Sequence, residues 1–298
     1  MLWALGAVVV AALAFAFINR PARLARTLSS AAHHACGKKD WAAAAKFLRL
    51  GHEEAGKMQE PLKSRMEAVI EIQWAAVLYR QGQIGEAEDM VRQGLVKGRR
   101  ALPPESPVLL QGELIWGDLC TDEGRHPEAE QHYRKVLEAD EECGNLAAVI
   151  FNLQRLADSL IHQGRRIEAE AEIHRAIVVE TRVVCQQLLS RGKNPAEHPV
   201  ISMNQPDLHF CREEYEEARR LYREKVEFWE AQPACPEQID LGRLQMRLAL
   251  AEARTGHLAE AIEVYTRAEL TLQREWCEQH PKVAAARLAR AALISAVA

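Results

Sequence analysis

Aromatic residues make up only 6% of these 298 positions, and the usual chain breakers are scarce, with 16 glycines and 12 prolines. That poverty argues against an all-β fold, whose strands draw on aromatic and β-branched residues and whose turns draw on Gly and Pro. Neither sign of charge dominates. With 38 basic and 42 acidic side chains the net charge is −4, so the basic footprint of a nucleic-acid binder is missing. No Cys-x-x-Cys occurs, and the cysteines (Cys36, Cys120, Cys143, Cys185, Cys211, Cys235 and Cys277) are odd in number and irregularly spaced. Such a set predicts free thiols in a reducing compartment rather than a disulfide framework. Also absent are Gly-x-x-x-x-Gly-Lys-Ser/Thr, Gly-x-Gly-x-x-Gly, Gly-x-Ser-x-Gly and His-Glu-x-x-His, the signatures of phosphate cradles, nucleophile elbows and zinc hydrolases. The expectation is a non-enzyme without a cofactor or metal.

What the chain has in abundance is alanine, 47 copies of it. Alanine loses no side-chain entropy in a helix, so the composition predicts an all-α protein. A second abundance is local: Leu2 to Ile18 carries no charge, and Arg20, Arg23 and Arg26 follow. Seventeen helical residues reach about 25 Å, the short end of a membrane span. Residues 1–19 are therefore expected to be a transmembrane signal-anchor and residues 20–36 a juxtamembrane segment. Basic flanks stay in the cytoplasm, which places everything after Arg20 inside. Ala14-Phe15-Ala16 keeps open a cleaved signal and an exported protein.

The rest of the chain is periodic. A glycine, four residues and an alanine recur at Gly82–Ala87, Gly124–Ala129, Gly164–Ala169 and Gly256–Ala261. Glu213–Ala218 is a variant with Glu in the glycine place, and Gly37–Ala44 a more degenerate copy. Four residues after each motif alanine stands Val91, Tyr133, Ile173, Tyr222 or Tyr265. Ala75, Gly117, Ala157 and Ala249 each lie seven residues before the glycine. Helix, tight turn at Gly, helix is the unit this pattern predicts. Small residues let the two helices approach, and a large residue fills the space that remains. The glycine ends the first helix by taking a left-handed conformation. One such pair cannot bury its apolar faces alone, so neighbours must stack.

These residues resemble the tetratricopeptide repeat. The unit here is nearer 42 residues than the usual 34, and it is similar to the longer subclass found in kinesin light chains. His280-Pro281-Lys282-Val283-Ala284 and His198-Pro199-Val200 resemble the His-Pro-x-Val-Ala helix start of that subclass. The resemblance covers residues 37–298 and implies a right-handed superhelical solenoid of antiparallel helix pairs. The pairs are expected at 64–81 with 85–99, 106–123 with 127–143, 146–163 with 166–190, and 237–255 with 258–279. A unit at 191–231 is degenerate, with a first helix 199–212 interrupted by Pro206 and an intact second helix. Residues 37–60 form an incomplete opening unit, and a single helix, 281–298, closes the chain.

The resemblance further implies a scaffold that binds a protein or peptide along the first helices of the units. Register places Tyr79, Arg80, Asp118, Asp122, Phe151, Arg155, Asp158, His162, Arg243, Met246, Arg247 and Arg254 on that face. Its middle is acidic and its C-terminal end basic, which suits a partner with a negative end. Arg243 and Arg247 match two basic positions of a subtype that clamps a C-terminal carboxylate. The asparagine positions of that subtype hold Ala76, Asp118, Asp158 and Leu250, so that mode is not expected. His33, His34 and Cys36, on a segment read as interhelical, and the pair His209 and Cys211 lack a second ligand pair for a metal. Cys120 is expected as a small buried residue. The closing helix keeps an apolar outer face over Ala286–Ala298, a candidate surface for self-association.

Overall fold

A computed structural model describes residues 20–194, 202, 204–231, 238–274 and 276–297. The described residues form thirteen α-helices. They are α1 (Arg20–Gly37), α2 (Trp41–Gly56), α3 (Leu62–Arg80), α4 (Ile84–Ala101), α5 (Pro107–Asp122), α6 (His126–Cys143) and α7 (Leu146–His162). Then come α8 (Arg166–Ser190), α9 (Gln205–Cys211), α10 (Tyr215–Glu230), α11 (Gln238–Arg254), α12 (Leu258–Gln273) and α13 (Pro281–Val297). The chain divides into two regions between Trp116 and Gly117, a boundary that falls inside α5. In the first region α1 packs on α2, α2 on α3 and α3 on α4. In the second, each helix from α6 to α13 packs on the next. The expected anchor, residues 1–19, lies outside the described residues. Among those described, no helix is long and apolar enough to cross a membrane.

One turn joins the two helices of six pairs, and Gly144 and Gly192 repeat its geometry at the ends of α6 and α8. Lys39, Gly82, Gly124, Gly164, Glu213 and Gly256 take φ of 58°, 73°, 75°, 76°, 63° and 85°. At each, the next residue's N–H donates to the carbonyl five positions back: Arg125 to Cys120 at 2.7 Å, Glu214 to His209 at 2.9 Å, Asp40 to Ala35 at 3.0 Å. This is the bonding that satisfies the last carbonyls of a helix when the following residue is left-handed. Glycine adopts that conformation without a Cβ penalty. Lys39 and Glu213 adopt it with one.

The turns bring a small residue on the first helix against a large one on the second. Ala32, Ala75, Ala157 and Ala249 are at most 2% exposed. At Gly117 a Cβ would lie 2.6 Å from Tyr133 Cε1, so only glycine admits the Tyr133 ring at this distance. Leu48, Val91, Tyr133, Ile173, Tyr222 and Tyr265, the large partners, are all buried.

Two elements depart from the expected layout. The first copy is complete: Ala32 stands seven residues before Lys39, and Ala44 and Leu48 follow in register. Its turn residue is Lys39, two positions after the glycine that the sequence suggested. Residues 20–36, expected as a juxtamembrane segment, are its first helix, and Ala25, Ala32 and Ala35 pack with Ala44, Leu48 and Ala55 of α2. His33, His34 and Cys36 thus sit within a helix rather than between helices.

The fifth copy is short rather than kinked. Its first helix begins at Gln205, so Pro206 occupies the first turn, where its missing N–H costs nothing. The seam position held by Gly51, Gly94, Ala176 or Ala268 in other copies holds Lys225 here. Lys225 is buried, and its Nζ donates to the Ser202 carbonyl at 2.7 Å. Ser202 Oγ donates to the Glu180 carboxylate, and Asn204 Nδ2 donates to Glu180 Oε2 at 3.0 Å. This seam is therefore polar where four other copies place a small residue. Burial pushes the Lys225 ammonium below its usual pKa, with Glu180 acting against that shift.

His280-Pro281 starts α13 as its motif suggested: the Lys282 N–H donates to His280 Nδ1 at 3.2 Å, and His280 is fully buried beside Trp276. His198-Pro199-Val200 lies outside the described residues. On α13, Ala289 and Leu293 pack on the core of α10–α12, while Leu288 and Ile294 are exposed.

The left-handed Glu213 is a removable strain. A non-glycine residue there costs about 1–2 kcal/mol, and the exposed Arg166–Glu213 pair returns at most about 1 kcal/mol. Glu213→Gly is expected to raise unfolding free energy by about 0.5–1 kcal/mol. Urea denaturation checks this, and a lower midpoint in the variant would contradict it.

Candidate protein-binding site

In the second region, α7, α8, α10 and α11 enclose a cavity of about 220 Å³. Ala147, Ile150, Val183, Leu241 and Leu244 give it an apolar lining, and Phe151 and Trp229 add two aromatic rings. Gln154, Glu180 and Arg243 supply its polar groups. Helix α7 can present Ala147, Ile150, Phe151 and Gln154 together because residues three and four apart share a face. Helix α8 runs 25 residues, whereas α10 has 16. Glu180 and Val183, one turn apart near the fifteenth to eighteenth residues of α8, face the cavity together. A cavity of about 150 Å³ holds a benzene ring, so this one has room for one large apolar side chain.

The polar groups are held by one another. Arg243 Nη2 donates to Gln154 Oε1 at 2.7 Å, and Gln154 Nε2 donates to Asn204 Oδ1 at 2.5 Å. Trp229 differs: its Nε1 is buried with no acceptor. An indole N–H left in that state costs about 1–3 kcal/mol, which a carbonyl oxygen arriving from outside would offset.

Beside the cavity lies a chain of half-buried charges. Arg247 pairs with Asp158, and Tyr222 Oη donates to Asp207 Oδ1 at 2.5 Å. Burial disfavours the Arg247 cation, but Asp158 overcomes this and holds its pKa above the usual value. Burial and the Asp207 charge push the Tyr222 hydroxyl well above its usual range. Further along, Asp118 accepts from Tyr133 Oη at 2.9 Å and from Arg155 Nε at 3.1 Å. Burial would raise the Asp118 carboxyl, yet the Arg155 guanidinium carries it below the usual carboxylate range.

The twelve residues assigned to the binding face thus have several fates. Phe151 and Arg243 line the cavity. Asp118 with Arg155, and Asp158 with Arg247, pair with each other. Met246 packs partly buried on the core, and Arg254 lies 5.8 Å from the Tyr215 ring centroid. His162 stacks on His126 with centroids 4.5 Å apart. Asp122 is half-buried. In the first region Tyr79 is buried, and Arg80 lies 6.0 Å from the Trp41 ring centroid and lines a separate cavity of about 450 Å³. The sequence reading missed Trp229, Glu180 and Gln154. No repeat position or motif in the sequence marks these three residues. Among described residues Cys120, Glu128 and His132 bring ligand atoms within 4.8 Å of one another.

Repeated helix pairs joined by tight turns define a class by architecture, the helical-repeat proteins. The tetratricopeptide-repeat family pattern matches residues 75–108. No curated protein sequence matches the chain. Among solved structures, the apo form of RapI is similar over 91% of this chain and 98% of its own, at 10% identity and a TM-score of 0.57. A Rap protein complexed with Competence and Sporulation Factor is similar over 89% of this chain and 72% of its own, at 14% identity and a TM-score of 0.52. A Podosopora anserina kinesin light chain with nearly identical TPR-like repeats is similar over 85% of this chain and 97% of its own, at 15% identity and a TM-score of 0.48. The likeness to the two Rap structures establishes a tetratricopeptide-like helical fold.

His126 ties this region's stability to pH. Its Nδ1 is buried without a partner, and burial, then His162, lowers its pKa. The folded state thus favours the neutral ring. That contribution is complete above the unfolded pKa of about 6.5 and declines as pH falls through it toward the lower folded value. His126→Gln should therefore lose less stability than the parent between pH 7.5 and about 5.5, as measured by chemical denaturation. Equal losses in the two proteins would remove His126 as a source.

Proposed function

We propose that the chain is a tetratricopeptide-like adaptor that captures a protein segment by one apolar side chain in the α7/α8/α10/α11 cavity. The observation that carries this reading is the buried, acceptor-less Nε1 of Trp229, a residue that lines a mostly apolar cavity. A peptide supplies what such a cavity lacks, an apolar side chain next to a main-chain carbonyl. The similar Rap structure in complex with Competence and Sporulation Factor supports a binding role for this architecture. The adaptor works by binding, without turnover. Ala147, on the exposed rim, offers a blocking site. Ala147→Trp is expected to leave the thermal midpoint within a few degrees while reducing recovery of a partner crosslinked through a photoreactive residue at position 151 at least tenfold. Unchanged recovery with the cavity blocked would exclude it as the binding site.

The adaptor is tethered by residues 2–18, with its helical domain on the cytoplasmic side. The supports are the uncharged run, the arginines at 20, 23 and 26 that follow it, and the thiols of Cys36, Cys143, Cys185, Cys211 and Cys277, which form no disulfide. Charge asymmetry of this kind retains the basic flank inside. Fusions at the C-terminus to a fluorescent protein and to alkaline phosphatase separate the alternatives. Fluorescence without phosphatase activity is expected. The reverse pattern would favour an exported assembly or chaperone-like factor.

A further inference from the structure

The turn between α5 and α6 holds a second constellation, away from the cavity. Cys120 stands in the last turn of α5, and Glu128 and His132 are four residues apart on α6. Spacing of four puts two side chains on one helix face, and the tight turn at Gly124 folds that face onto Cys120. One ligand atom from each, a thiol sulfur, a carboxylate oxygen and an imidazole nitrogen, lies within 4.8 Å of the other two. Cys120 is fully buried, His132 is 9% exposed and Glu128 is half-buried.

We infer that Cys120, Glu128 and His132 form a binding site for a borderline-soft divalent cation, zinc in particular. Thiolate and imidazole together select such cations over magnesium or calcium, which take oxygen ligands. A tetrahedral zinc with bonds of about 2.0–2.3 Å sets its ligand atoms roughly 3.3–3.5 Å apart. The three side chains therefore need to close by at most about 1.5 Å, within the reach of χ rotations. Three protein ligands leave the fourth position to water.

The local charges accommodate the ion. Glu128 lies in the first turn of α6, where the helix dipole favours a negative side chain. Its present partner is Arg125, at 2.7 Å. Arg125 also reaches Glu123, at 2.6 Å, so it keeps a carboxylate when Glu128 turns to a metal. The ion would fasten α5 to α6 at their shared turn, and metal affinity would then be coupled to the stability of this hairpin.

The purified full chain, reduced and stripped with a chelator, is titrated with Co²⁺ and then with Zn²⁺. Expected are one Co²⁺ per chain, a thiolate-to-cobalt charge-transfer band in the near ultraviolet, and its bleaching by one equivalent of Zn²⁺. Cys120→Ser should abolish the band, and Glu128→Gln and His132→Gln should each weaken Zn²⁺ binding at least tenfold. Because Cys120 is buried in the folded chain, its alkylation is followed in moderate urea, where the unmodified protein opens transiently; bound Zn²⁺ should slow it there, a readout that holds even if Cys120→Ser fails to fold. No Co²⁺ uptake, a band that survives Cys120→Ser in a folded protein, or alkylation of Cys120 unaffected by Zn²⁺ would overturn the site. None of these readouts depends on the cavity or its partner.

Discussion

Everything in this fold depends on two helices being able to reverse and then lie close. Reversal requires a residue with positive φ. Close packing requires a small side chain opposite a large one. The six turns from Lys39 to Gly256 meet the first requirement, and the pairing of Gly117 with Tyr133 shows how strict the second becomes. Where these demands are met the rest follows from burial, at roughly 25 cal/mol per Å² of apolar surface. The abundance of alanine and scarcity of aromatics are thus two sides of one packing solution.

This constraint made much of the fold legible. Glycine, alanine and the large residue four positions later fixed the second, third, fourth and sixth helix pairs, and their ends differ from expectation by a few residues at most, the exception being α12, which stops at Gln273. The first and fifth pairs were harder for one shared reason. Their turn residues are Lys39 and Glu213, whose positive φ no side chain advertises. In the first pair this displaced the register and left α1 unassigned as a repeat helix. In the fifth, Pro206 was read as an interruption because the start of α9 was placed too early.

The binding region was less legible, again for a physical reason. Helical register tells which side chains share a face, but it does not tell which opposite charges will meet across a gap. Asp158 and Arg247 stand 89 positions apart, as do Gln154 and Arg243. Charges that looked like bait for a partner turn out to hold α7 and α11 together. An ion pair this sheltered contributes little net stability beside an apolar replacement, yet losing one member leaves a costly unpaired charge. Trp229 could not have been singled out from its neighbours, because its significance is the missing acceptor and not its type.

The substitution of Lys225 into the fifth seam has a consequence for how this chain can be inherited. Ordinary copies carry interchangeable contact surfaces, so an array of them can gain or lose a helix pair by duplication or deletion. Here Lys225 reaches a carbonyl before α9, and the residues around that carbonyl grip Glu180 on the preceding copy. Three successive pieces of sequence have become mutually dependent. A cut that removed or duplicated a helix pair between Glu180 and Lys225 would leave one of these groups without its partner.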